Sequence, residues 1–305
     1  MQHRTIGSLS VSVIGLGTNN FGFTMDEADV APVVDAALEA GINFFDTADS
    51  YLSSEVRLGA ALGSRRDQIV VATKFGSKAD EEFTGGAAGP YIRRAVERSL
   101  RMLGTDRIDL YQLHRPDPTV DIAETLSVLH ELVAEGKVLE IGCSNFSAEQ
   151  LRAAAAAAGT GPRFVSVQNE YSLLERADEA DVLPTCAELD IAHLPYFPLA
   201  SGLLTGKYQR GAGVPSGSRI EKWNMAERVL TEENFATLDT LTTWANDHGH
   251  SLLDLAFAWL LASPSVASVI AGATSPAQIA ANAAAGSWVL SENDAAEVRS
   301  LVATS

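Results

Sequence analysis

Eight short apolar runs, each separated from the next by a longer segment, constrain this chain more than any other feature. They are "VSVIGLGT" (11–18), "INFFD" (42–46), "IVVATK" (69–74), "IDLYQLH" (108–114), "VLEIGCSN" (138–145), "FVSVQN" (164–169), "IAHLPYF" (191–197) and "VASVIAG" (266–272). Several intervening segments read as amphipathic helices: 28–40, 54–62, 90–103 and 121–135, closed by Gly41, Gly63, Gly104 and Gly136, with Pro90 opening the third. Strands alternating with helices pair in parallel, and near-continuous apolar strands suit a sheet covered on both faces. Eight such units between residues 11 and 272 predict an α/β fold closed into a (β/α)8 TIM barrel. The start, "RTIGSLSVSV" (4–13), predicts an N-terminal β-hairpin capping the barrel bottom. Residues 1–305 are read as a single barrel domain.

Composition narrows the partners. A hydrophobic content of 46% supplies a sizeable core, while a net charge of −17 opposes binding to nucleic acid and to anionic membrane surfaces. An anionic cofactor therefore needs a local positive pocket. Cys143 and Cys186 are too few and too far apart for a disulfide scaffold, and the sequence shows neither a leader-like start nor an apolar run long enough to span a bilayer. A cytoplasmic location is the expectation, and the oligomeric state stays open.

Several strands end in a residue capable of chemistry. Asp46 ends the second, Lys74 the third and His114 the fourth; Ser144 and Asn145 end the fifth, Gln168 and Asn169 the sixth. Any one of these alone is ordinary turn or surface chemistry. In a barrel, however, these ends meet at one mouth, where the long segments 74–89 and 200–224 also lie. Tyr51 follows Asp46 by five positions in "FFDTADSYLSSE" and joins the same set. A metal-dependent barrel hydrolase would gather several histidines and carboxylates there, but only His114 is so placed; His193 falls within a strand and "HGH" (248–250) reads as a solvated turn. No metal is expected.

The motifs "GLGTNNFG" (15–22), "FDTADSY" (45–51), "VVATKFG" (70–76), "IDLYQLHRPDP" (108–118), "GKVLEIGCSNF" (136–146), "VQNEYSLL" (167–174), "PYFPLASGLLTGKY" (195–208) and "VIAGATSPAQIAAN" (269–282) together resemble the aldo-keto reductases. They are most similar to the branch holding potassium-channel β subunits and bacterial aldehyde reductases. The resemblance implies reversible hydride transfer between a nicotinamide cofactor and an aldehyde or ketone, with a tetrad of Asp46, Tyr51, Lys74 and His114. The chemistry suits those residues. Reducing a carbonyl creates an alkoxide that needs a proton, and a free phenol, with a pKa near ~10, gives it up poorly. A cation beside Tyr51 eases that loss; Lys74 supplies it, Asp46 holds Lys74, and His114 polarises the carbonyl.

By the same resemblance Gly17, Thr18 and Asn19 belong to the cofactor site. Ser144, Asn145 and Gln168 bond the nicotinamide carboxamide, Tyr196 stacks on its ring, and Pro198, Leu199 and Ser201 continue the wall. Lys207 and Arg219 clasp the pyrophosphate and the 2′-phosphate, making NADPH (NADP+) the expected cofactor and NADH the less favoured one. Gly272, Thr274, Gln278 and Asn282 complete the site. Independently, "ATSPAQ" (273–278) has the chemistry of a helix start, with Thr274 or Ser275 as cap and Pro276 in the first turn, and free N–H groups there suit a phosphate. Three positions depart from the pattern. Leu52 replaces the usual glycine after the tyrosine, Ala281 a common glutamate, and Gln278 an arginine of another branch. Asn20, Phe21, Phe75, Trp223 and the 79–88 loop are the expected substrate walls. No closing C-terminal loop is seen after Asn282, which implies an open pocket and a small-molecule carbonyl substrate. A nucleotide-sensing module with slow turnover, like the channel subunits, is the alternative.

Overall fold

The computed structural model describes residues 1–77 and 86–302, except the Arg219 side chain. Strands β1 (His3–Ile6) and β2 (Leu9–Ser12) form an antiparallel hairpin. The barrel strands are β3 (Ile14–Gly17), β4 (Phe44–Asp46), β5 (Val70–Phe75), β6 (Ile108–Leu113), β7 (Val138–Ser144), β8 (Phe164–Gln168), β9 (Ala192–His193) and β10 (Val269–Gly272). All pair in parallel, in the order β10-β3-β4-β5-β6-β7-β8-β9. The ring closes where His193 N donates to Ser265 O (2.7 Å), Ala267 N to His193 O (3.1 Å) and Ile270 N to Pro195 O (3.2 Å). The fold is a (β/α)8 barrel with a hairpin at its base.

Helices α1 (Asn19–Phe23), α2 (Glu27–Glu39), α3 (Ser54–Leu62), α4 (Gly89–Leu103), α5 (Ile122–Ala134), α6 (Ala148–Ala158) and α7 (Val182–Leu189) follow the first six barrel strands, β3 to β8. After β9 come α8 (Arg219–Lys222), α9 (Ala226–Val229), α10 (Glu232–Asp247) and α11 (Leu252–Leu261); α12 (Pro276–Ala285) and α13 (Glu292–Leu301) follow β10. Their ends are set locally. Gly104 closes α4 in the left-handed conformation (φ 65°), which costs glycine nothing, and Ser147 and Ser251 form capping boxes with Gln150 and Asp254.

Two strands differ from their sequence signals. The run 11–18 is divided, because Val11 and Ser12 pair with the hairpin and only Ile14 onwards joins the barrel. The run 191–197 keeps a ladder only at Ala192 and His193. Pro195 offers no N–H, which ends the regular ladder, while Leu194 N still donates to Val167 O (2.8 Å) and Tyr196 N to Asn169 O (2.9 Å); the chain turns away at Phe197, which is left-handed (φ 51°). The hairpin fills the barrel bottom, where Ile6, Leu9 and Val11 pack on Phe44, Leu110 and Ile270. Arg4 fastens it, donating from Nη2 to Leu261 O (2.7 Å), at the end of α11, and from Nη1 to Ser263 O (3.1 Å) and Val266 O just beyond it. The larger apolar cluster lies between strands and helices.

Candidate active site

At the C-terminal ends of the strands the barrel interior turns polar. Asp46 and Lys74 are 3% and 1% exposed, and Lys74 Nζ lies 2.6 Å from Asp46 Oδ2 and 2.9 Å from Thr47 O. The other carboxylate oxygen accepts from Gln168 Nε2 (2.8 Å) and Gln112 Nε2 (3.3 Å), so side chains from β6 and β8, reaching across the barrel interior, hold Asp46 in one orientation. Burial alone would lower the Lys74 pKa; the Asp46 charge and the Tyr51 phenol outweigh it and hold the ammonium above its ordinary value.

Tyr51 sits on the loop between β4 and α3, hydrogen-bonded to Lys74, whose Nζ lies 5.2 Å from the ring centroid. The loop is pinned to β5 by Thr47 N donating to Ala72 O (2.9 Å) and Asp49 N to Lys74 O (3.1 Å). From the other side α1 packs so tightly that a Cβ on Gly22 would lie 1.9 Å from Tyr51 O. Only glycine permits that approach.

His114 follows β6, its backbone N donating to Phe75 O (2.8 Å) and its ring meeting Tyr51 edge-on at 5.9 Å. Burial, with the charges of Lys74 and Arg115, pushes its pKa down to about 3. The imidazole is therefore neutral at physiological pH, with one N–H to donate. Its Nδ1 is buried and meets no hydrogen-bond partner among the described residues.

These groups open onto a cleft of about 940 Å³ at the barrel mouth, which Asp46, Tyr51 and His114 line while Lys74 stays behind them. Every residue expected around the nucleotide also lines it, except Arg219, whose side chain lies outside the described residues. Within the cleft wall, Asn145 (φ 61°) donates to His114 O (2.9 Å) and accepts from the Tyr196 hydroxyl (2.9 Å), while Ser144 donates to Gln168 O (2.6 Å). Burial and Glu170 push the Tyr196 phenol up to about 12, keeping its ring neutral. Beyond it, left-handed Ala200, Ser201 and Gly202 fold the chain back along the wall towards Lys207, which makes no ion pair among the described residues. Ser275, not Thr274, caps α12, and Gln278 Oε1 accepts from Thr274 N (2.8 Å). An amide-rich patch, a neutral ring, a lysine and a helix start along one cleft fit an extended, anionic, amide-bearing nucleotide.

The substrate end needs correction. Asn20 and Trp223 line the cleft, but Phe21 and Phe75 are fully buried in the core. Phe75 follows the inward-facing Lys74, so strand alternation turns it outward onto Tyr111 (4.7 Å). The aromatic wall is instead Phe23, 43% exposed, with its ring 6.2 Å from Tyr51 and 6.0 Å from Trp223. Sequence reasoning also missed Arg115, an exposed side chain on the cleft beside His114. Of the 79–88 loop, residues 79–85 lie outside the described residues.

His193, His248 and His250 are otherwise engaged. His193 is fully buried, with Nε2 2.8 Å from Asp178 Oδ2. His248 and His250 do not simply face solvent: they stack on Trp244 and Trp288, both at 3.8 Å. Among the described residues no three His, Cys, Asp or Glu side chains converge as metal ligands would, and no helix is long and apolar enough to cross a membrane.

A parallel barrel carrying a buried Asp–Lys pair beneath a tyrosine, with a neutral histidine beside it at a nucleotide-sized cleft, defines a class: the barrel oxidoreductases that act on carbonyl groups. The chain belongs to the aldo/keto reductase family, whose description matches residues 13–303. It is 34% identical over 298 residues to a probable voltage-gated potassium channel subunit beta of Oryza sativa subsp. japonica, covering 92% of this chain and 90% of that one. It is 35% identical over 320 residues to the NADH-specific methylglyoxal reductase of Escherichia coli (strain K12), covering 96% and 95%. Among solved structures, the glycerol dehydrogenase of Gluconobacter oxydans superposes with a TM-score of 0.85 at 30% identity, covering 98% of this chain and 94% of that one. The protein is thus an oxidoreductase of a family that uses nicotinamide cofactors.

Proposed function

We propose that this protein reduces aldehydes or ketones to alcohols with NADPH, with Tyr51 as the general acid. The observation that carries the proposal is the buried Lys74–Asp46 pair, 2.6 Å apart, hydrogen-bonded to a phenol on the cleft. A bound nicotinamide supplies the hydride. Tyr51 donates its proton to the carbonyl oxygen as negative charge develops there. Lys74 stabilises the phenolate left behind, and Asp46 keeps Lys74 charged in a site where burial would neutralise it. His114, neutral by virtue of its depressed pKa, donates a second hydrogen bond without competing as an acid.

Ser144, Asn145, Gln168 and Tyr196 would hold the nicotinamide end, Lys207 and Arg219 the phosphates, and the start of α12 the adenosine end. Two cations in a chain of net charge −17 support NADPH, whereas Gln278, Ala281 and an NADH-specific relative pull towards NADH. Fluorescence titration with each nucleotide decides between them. On this reading residues 1–305 act as one unit in the cytoplasm on a small carbonyl substrate, with neither nucleic acid nor membrane as partner.

Tyr51→Phe tests the assignment. It should cut aldehyde reduction by roughly 10²–10⁴-fold while nucleotide affinity stays near wild type. Full activity in the variant refutes it. Wild-type turnover far below ~10 s⁻¹, with nucleotide retained through gel filtration, would favour the sensing role that the resemblance to channel β subunits suggests.

A further inference from the structure

Arg115 is an exposed guanidinium on the cleft wall, next in sequence to His114, and it makes no ion pair or side-chain hydrogen bond with any described residue. In a chain carrying 39 acidic against 22 basic residues, an arginine at the mouth with no ion pair among the described residues is conspicuous. Its position separates it from the nucleotide phosphates. Arg115 follows β6, while α12 follows β10, and these strands stand four places apart in an eight-membered ring. They therefore lie on opposite sides of the barrel, and Lys207, between β9 and β10, lies on the α12 side.

Of the other charges on the cleft, Asp26 and Asp29 belong to the start of α2, the helix that packs on α12, Lys222 belongs to α8 between β9 and β10, on the same side as Lys207, and Asp46 is neutralised by Lys74. No described carboxylate is paired with Arg115. Its charge is close enough to the imidazole to help hold His114 neutral. A substrate whose carbonyl oxygen faces Tyr51 and His114 would extend its substituents past this guanidinium.

We propose that the preferred substrates are aldehydes or ketones that also bear a carboxylate, and that Arg115 anchors it. This inference rests on the carbonyl-reductase proposal above and adds the substrate class. A guanidinium presents paired N–H donors in the planar geometry of a carboxylate, and the negative field of the remainder of the chain makes such a local cation necessary for an anionic substrate. Hydrogen bonds to a charged group, discounted for solvent at a cleft mouth, correspond to a preference of about tenfold.

The test compares 2-, 3- and 4-carboxybenzaldehyde with their methyl esters, in wild type, Arg115→Met and Arg115→Lys. In wild type at least one acid should exceed its ester about tenfold in kcat/KM, and its KM should rise with salt while that of the ester does not. Arg115→Met should bring the acid-to-ester ratio close to one, and Arg115→Lys should retain part of it. Acids no better than esters in wild type, or a preference that survives Arg115→Met, overturns the anchor. So does an Arg115→Met variant whose principal loss is in nucleotide affinity. If wild type reduces the esters without discrimination, only the anchor fails; if it reduces neither acids nor esters, the reductase proposal falls with it.

Discussion

Replacing Asp46 with Asn keeps the shape of the side chain and removes its charge. Lys74 is 1% exposed, so the variant leaves an ammonium buried without its counter-ion. Removing one partner of a buried pair costs about 3–5 kcal/mol, well above the near-zero effect of a surface pair. Unfolding entropy of about 2.1 cal/mol/K per residue, over 305 residues, gives roughly 0.64 kcal/mol/K, so about 4 kcal/mol lowers Tm by about 6 °C. The pH dependence gives a sharper sign. In wild type the Lys74 pKa is raised above 10.5, so its contribution is fully present below that value and is lost as pH rises through the folded one. In Asp46→Asn burial acts without the carboxylate, the folded pKa falls, and the native state sheds a proton that the unfolded chain keeps. Stability of the variant therefore rises with pH towards ~10.5, opposite to wild type. Thermal melts followed by circular dichroism from pH 7 to 11 read both effects. Asp46→Asn/Lys74→Met should recover much of the lost Tm without recovering aldehyde reduction. A single variant melting within about 1 °C of wild type, with the same pH slope, would show that the pair is not an obligate unit.

His114 should show no titration between pH 5 and 8, because its folded pKa sits at about 3. Its contribution to stability is present above the unfolded value of 6.5 and is lost as pH falls from there towards about 3; an imidazole NMR shift with a midpoint near 6.5 contradicts this. Arg4→Ala should lower stability by about 2–4 kcal/mol, since three backbone carbonyls lose a charged donor, and should lower the urea midpoint accordingly. Because Arg4 lies at the opposite end of the barrel from the mouth, aldehyde kcat should not change at temperatures where the variant is folded.

The barrel was legible because each unit carries its own signal: an apolar strand, a helix of the right period, and a glycine past its end. The placement of Asp46, Lys74 and His114 at the mouth was legible for a related reason. Strand alternation fixes which residue faces the axis, so a polar residue ending an apolar run marks the mouth. Where this logic was not applied, the sequence misled: Phe75 next to Lys74 cannot share its face, and it lies in the core. Phe21 and Phe23 are harder, because they lie two residues apart on a five-residue helix, and which one meets the cleft depends on how α1 docks on the Tyr51 loop. Seen in sequence, the run 191–197 conceals its early end because Pro195 terminates a ladder without changing the apolar pattern around it. Arg115 stayed invisible because an exposed arginine after a strand is ordinary until the described residues around it are known to leave it without an ion pair.

Leu52 shows how strongly the loop carrying Tyr51 is determined by its surroundings. It lies in the left-handed region at φ 50°, where a leucine costs roughly 1–2 kcal/mol that glycine would avoid. Its side chain is 66% exposed, so burial does not offset that strain. Such a conformation persists only where neighbouring contacts impose it. On one side stands Gly22 against Tyr51 O; on the other is a buried hydroxyl cluster. Ser54 Oγ donates to Thr18 O (2.8 Å) and lies 2.9 Å from the hydroxyls of both Thr18 and Thr47, and Thr18 Oγ1 reaches Asp46 O (3.0 Å). This cluster links β3, the end of β4 and the start of α3, so the strand that supplies Asp46 and the loop that supplies Tyr51 are fixed to one another. The strain at Leu52 is the conformational cost of holding the phenol over Lys74, and the three hydroxyls with Gly22 are what sustain it.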